Sequence, residues 1–119
     1  MLTTPYTDKM HTDTLTNGGA TVDLTRHNLA EPEGRYYYGG GSWAHTVPVD
    51  FFTPAYLAAL VLVAKREGHA ALGTWVDEGI VYVEPTTVED NLTIAYMQAA
   101  ERGEKAFYDS ETRETVWIR

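Results

Sequence analysis

The 119 residues hold 17 acidic against 9 basic side chains, a formal charge of −8, and no cysteine. A chain this acidic repels phosphate backbones at long range, which argues against direct nucleic-acid binding, and without cysteine it has neither a disulfide framework nor a thiolate metal site. The length suits one domain with its own core; no apolar run approaches membrane-spanning length and no secretory leader is evident, so a cytoplasmic location is expected.

In chain order, residues 1–17 are threonine-rich and polar with no periodic apolar face, and are expected to be a flexible amino-terminal segment. Gly18 and Gly19 break the chain, after which Ala20-Thr21-Val22-Asp23-Leu24 alternates apolar and polar as a half-buried strand does. Residues 26–34, with Pro32 and Gly34, read as a loop. Arg35-Tyr36-Tyr37-Tyr38 and Trp43-Ala44-His45-Thr46-Val47 are strand-like and flank Gly39-Gly40-Gly41, the pattern of a hairpin across the glycines.

A first helix is announced by Thr53 as N-cap, Pro54 at the first helical position and Phe52 placed to staple onto Leu57. Leu57, Leu60, Val61 and Ala64 make its buried stripe, Leu62 and Val63 are expected to widen it, and Lys65, Arg66 and Gly68 mark its end. Residues 73–83 then read as the central hairpin, two β-branched and aromatic runs around Asp77-Glu78-Gly79. A second helix is expected to start at Thr86 or Thr87 with Glu89 or Asp90 closing a capping box, to bury Val88, Leu92, Ala95 and Ala99, and to end at Gly103. Residues 105–109 and 114–118 form a closing hairpin. The expected fold is a single α+β domain over residues 18–119, a mostly antiparallel sheet with two helices in the order βββαββαββ.

Chemistry-bearing motifs are scarce. His11, His27, His45 and His69 lie on separate segments with no metal-finger or helical i, i+4 spacing, and neither Ser42 nor Ser110 sits in a nucleophile elbow. The glycine triplet is followed by neither a helix nor a G-K-[ST] signature, so it is no phosphate loop. The expectation is therefore no catalytic residue, no cofactor and no metal. Residues 77–100 carry five acids, Asp77, Glu78, Glu84, Glu89 and Asp90, and no base, a block that attracts a basic protein surface. Tyr36, Tyr37, Tyr38 and Trp43 pack in the core or anchor a partner; strand alternation predicts at least one of the tyrosines exposed.

Three stretches carry a resemblance: Gly18-Gly19-Ala20-Thr21-Val22-Asp23-Leu24, Gly73-Thr74-Trp75-Val76-Asp77 with Val81-Tyr82-Val83, and Arg102-Gly103-Glu104-Lys105-Ala106-Phe107-Tyr108-Asp109. Together they resemble small uncharacterised proteins of actinobacteria and their phages. The resemblance implies a phage or prophage accessory protein, active in the host cytoplasm. With the acidic block, the leading expectation is a non-enzymatic protein that binds a host or defence protein through Asp77, Glu78, Glu84, Glu89 and Asp90, with Tyr37 or Trp43, and occupies a basic nucleic-acid-binding surface. The alternatives are a small enzyme or ligand-binding domain with a pocket beside the glycine turn, using Tyr38, His45 and a carboxylate, and a homodimer or larger assembly through the edge of the last strand.

Overall fold

The computed structural model describes residues 5–25, 34–40 and 43–118. Of the loop expected over 26–34, residues 26–33, with His27, lie outside the described residues, as do Gly41 and Ser42. In chain order the elements are α1 (Pro5–Asn17), β1 (Gly19–Asp23), β2 (Tyr36–Tyr38), β3 (His45–Pro48), a 3₁₀ turn (Val49–Phe51), α2 (Pro54–Arg66), β4 (Ala71–Asp77), β5 (Ile80–Glu89), α3 (Leu92–Glu101), β6 (Ala106–Asp109) and β7 (Glu114–Trp117). The α+β class and the antiparallel sheet are as expected, but the described residues form three α-helices where two were expected.

The central hairpin is β4 and β5, in register with Asp77 opposite Ile80, so Glu78 and Gly79 alone make the turn. Their φ angles of 49° and 79° are both positive, as a two-residue type I′ turn requires. The sheet is ordered β1-β4-β5-β2-β6-β7, and β3 also pairs with β5. One side of β5 therefore carries two short strands in succession: β3 opposite residues 80–83 and β2 opposite residues 87–89. This corrects the hairpin expected across the glycines, because β2 and β3 pair with β5 and not with each other. It also corrects the second helix start. The β-branched Thr86, Thr87 and Val88 prolong the strand, and Asn91 caps α3 by accepting from the Ile94 N–H at 3.0 Å. Pro85 falls in the stretch with a neighbour on one side only, where a missing N–H is tolerated.

The amino-terminal segment is also corrected. Residues 5–17 form α1, which buries Thr7, Met10 and Thr14 against β1 and β4; the spacing i, i+3, i+7 is helical, but two of the three positions are threonine. Thr14 Oγ1 donates back to the Met10 carbonyl at 2.7 Å and lies 2.5 Å from Thr74 Oγ1, so the hydroxyls are satisfied inside the core.

α2 starts and stops as expected, with Thr53 accepting from Tyr56 N–H at 3.1 Å and Gly68 at φ 80°. Its stripe Leu57, Leu60, Val61 and Ala64 is buried, each large side chain contributing roughly 1.5–3 kcal/mol, whereas Leu62 and Val63 face outward. One core cluster joins α1 and α2 to β1, β3, β4 and the first half of β5; a second joins Ala95 and Ala99 of α3 to Tyr36, Tyr38 and Phe107. The expected exposure of one tyrosine fails, because Tyr36, Tyr37 and Tyr38 are all buried. β2 has strands on both sides, α3 covers the face of Tyr36 and Tyr38, and Tyr37 packs on the Tyr108 ring at 5.9 Å.

Candidate functional site

β5 is ten residues long and rises roughly 3.3 Å per residue, so it spans roughly 30 Å. The five acids singled out in the sequence are strung along it at three stations. Asp77 and Glu78 are exposed at the turn, Glu84 is half-buried near mid-strand, and Glu89 and Asp90 are at the far end. The last two serve the local backbone: Glu89 Oε2 accepts from Asp90 N–H at 2.7 Å and Asn91 N–H at 3.3 Å, and Asp90 Oδ1 accepts from Arg35 N–H at 3.1 Å. Tyr37 is 6% exposed. Trp43 is half-buried against the larger core cluster, its indole N–H donating to Glu67 and its ring meeting His45 at 5.2 Å and His69 at 6.3 Å. The seven residues do not meet on one surface.

The turn station has a neighbour that sequence reasoning missed. Pro48 of β3 pairs with Ile80, and Val49 N–H donates to the Gly79 carbonyl at 2.9 Å, so the 3₁₀ turn abuts the hairpin turn. Phe52 N–H closes that 3₁₀ turn on the Val49 carbonyl at 3.1 Å, and Phe52 turns into the core. Phe51 is left 70% exposed, with Asp50 also exposed beside it. The signal was the Phe51-Phe52 pair before the helix cap: only one of two consecutive aromatics there can serve as the buried staple. This end of the sheet thus joins a bare phenylalanine to Asp50, Asp77 and Glu78.

The middle station is where β5 exchanges β3 for β2. Among the described residues, 84–86 have a strand neighbour on the β4 side alone, and Gly39 and Gly40 run into the notch this leaves. Glu84 Oε2 accepts from Gly40 N–H at 3.2 Å. A Cβ on Gly39 would fall 2.0 Å from Glu84 Oε1 and 2.8 Å from Glu104 Oε1, so the two carboxyl groups close over the bare backbone of Gly39, and a side chain there would push them aside. Burial, and then the charge of Glu104, push the Glu84 carboxyl up to about 7, against the opposing pull of the Gly40 N–H.

Arg102, the C-cap of α3, closes the other side. It donates to the Gly39 carbonyl at 3.3 Å and Thr87 Oγ1 at 2.9 Å, and its guanidinium lies 5.0 Å from the Tyr38 ring centre. Tyr38 donates its hydroxyl to Gln98, and burial raises its pKa. On the helix side, a groove of about 380 Å³ floored by residues 85–88 separates His69 from Arg102.

The other candidates resolve into structural roles. His11 bonds the Phe52 carbonyl at 2.8 Å and stacks on that ring at 4.8 Å, and His69 lies 3.5 Å from Glu67. His45 is exposed on β3. Among the described residues no group of three or more His, Asp or Glu side chains is placed to hold a metal ion, and no helix is long and apolar enough to cross a membrane. Ser110 Oγ donates to the Gly34 and Arg35 carbonyls at 3.1 and 2.8 Å. No protein-family model, curated protein or solved structure matches the chain.

Proposed function

We propose that this is a small accessory protein of phage or prophage type that works in the cytoplasm by binding a host or defence protein with a basic surface, and that contact is made by the end of the sheet carrying Phe51, Asp50, Asp77 and Glu78. The observation that carries the reading is Phe51, 70% exposed where the 3₁₀ turn meets the hairpin turn. Of residues 48–51 and 77–80, three are acidic and none basic. An aromatic ring within a rim of one charge sign is the composition of an interface anchor: the ring supplies burial, and the carboxylates steer and orient a cationic surface. The net charge of −8 acts in the same sense at long range. The phage context rests on the three resembling stretches, and a nucleic-acid-binding cleft is the kind of basic surface such a tip would occupy.

The test is capture from a bacterial lysate with tagged protein at low and high salt, comparing the native chain with Phe51→Ala and with Asp77→Lys/Glu78→Lys. A partner held at low salt, released at high salt and weakened about 30-fold by Phe51→Ala is expected, the loss of an anchor worth about 2 kcal/mol. A partner retained equally by the native chain and both variants would refute the assignment of this surface.

A second reading has its own observation. The Glu84 and Glu104 carboxyl groups, with Glu84 near 7, meet over Gly39, whose carbonyl Arg102 bonds, and a pair so placed is the setting of an acid–base or ligand-binding site at the glycine turn. An activity found in a substrate screen that follows the ionisation of a group near pH 7, and is abolished by Glu84→Gln, would favour it over the first.

A further inference from the structure

We infer that β7 is the docking edge for a second copy of this chain, which joins it antiparallel about a two-fold axis at Val116. β7 has β6 on one side and, among the described residues, no strand on the other. Its pairing with β6 runs without a bulge, and residues 114–118 contain neither lysine nor proline, the usual guards of an exposed edge.

The ladder shows which groups the edge presents. Ile118 N–H donates to the Lys105 carbonyl at 2.9 Å, which makes residues 105 and 118 a hydrogen-bonded pair. By alternation Val116 and Glu114 also bond inward to β6, so Thr115 and Trp117 point their N–H and C=O groups outward. A two-fold axis on Val116 sets Thr115 opposite the partner's Trp117 and Trp117 opposite the partner's Thr115. Each such pair exchanges two backbone hydrogen bonds, four in all, and satisfies every group the edge presents from those residues.

The side chains suit the same register. Tyr108 lies directly across from Thr115 and shares its face with Trp117 by alternation; Tyr108 is 37% exposed and Trp117 57%. In the pair, the partner's Trp117 lies on the far side of Thr115 from Tyr108, and the small threonine leaves both rings room to close over it. On the opposite face Val116 meets its symmetry mate, with Ile118 half-buried alongside. α3 turns Gln98 toward Tyr38 of β2 and Tyr96 toward Phe107 of β6, so the flank bearing Tyr96 and Leu92 looks toward β7. Leu92 is 51% exposed there. The surface is thus apolar on both faces of the edge, and the axis brings like residues together as an isologous dimer requires.

A contact confined to the short edge of residues 114–118 belongs to the weak, transient class, so association is expected only at micromolar to millimolar protein. Sedimentation velocity from about 1 μM to about 1 mM tests it. The native chain should pass from monomer to dimer across that range. Thr115→Pro removes an N–H that points outward and leaves the β6 ladder intact, so it should hold the chain monomeric, with association weakened at least about tenfold, while the melting temperature stays near native. Trp117→Lys, which leaves the backbone unaltered, should do the same and serves if the proline variant does not fold. A native chain monomeric throughout, assembly beyond a dimer, or a folded variant that dimerises as the native chain does would each overturn the inference.

Discussion

Replacing Glu84 with glutamine should flatten the pH dependence of stability across the window from 4.5, the carboxyl's ordinary value, to about 7, its value in the folded chain. Below that window Glu84 is protonated in both the folded and unfolded states and contributes no pH dependence. As pH rises, the unfolded chain releases the proton first while the folded chain keeps it, so stability falls through the window and levels off above about 7. The full shift corresponds to roughly 3 kcal/mol; Glu84 keeps partial access to water, which screens it, leaving about 2 kcal/mol. Glutamine preserves the shape, still accepts from Gly40 N–H and cannot ionise. Urea unfolding of both proteins at about pH 4.5 and about pH 8 provides the measurement, with the native chain losing about 2 kcal/mol more than the variant between the two. Glu104→Gln should recover part of the same loss, because it removes the second cause of the shift. Equal losses in the native chain and Glu84→Gln would show that the notch does not hold its proton, and the acid–base reading would fall with it.

Met10→Ala should cost about 2–5 kcal/mol in urea unfolding, because Met10 is 1% exposed in a packed core; a loosely attached amino terminus would lose less than about 0.5 kcal/mol. Asp109→Asn should lower stability at neutral pH and reduce the loss on acidification. Asp109 takes two hydrogen bonds from Arg35, each 3.0 Å, and that pairing first, with the Thr112 and Glu111 backbone N–H groups, holds its carboxyl down at about 2. Its stabilising effect is complete above 3.8 and disappears as pH falls through about 2, so the variant's unfolding midpoint should change less than the native one over that interval. Identical acid profiles would show that the pair does not form in solution.

Local signals in this chain were legible wherever one short segment carried the whole cause. Thr53, Pro54, Lys65 and Gly68 bound α2 because caps and dipole charges act within a turn of the helix end, and Glu78-Gly79 makes the turn that positive φ demands. What was misread depends on partners distant in sequence. α1 looked structureless because its buried face is Thr7, Met10 and Thr14, and a threonine counts as core only when its hydroxyl is paired, as that of Thr14 is with the Met10 carbonyl and with Thr74 Oγ1, 60 residues away. Thr86 to Asp90 looked like a helix start because threonine and acid residues suit caps; the strand wins there because β2 lies alongside to receive it.

The candidate sites follow from the same long strand. β5 outruns each of its short neighbours on one side, and the break between β3 and β2 leaves Glu84 at a point where neither strand covers it and the glycines must. No periodicity in residues 80–89 marks that break, since it is set by where β2 and β3 end. The same geometry parts Asp77 and Glu78 from Glu89 and Asp90 by the strand's length, so five acids adjacent in sequence become separate features in space. The turn acids are left with Phe51 for company, and while Phe52 serves the helix entry, Phe51 becomes the apolar centre of the acidic end.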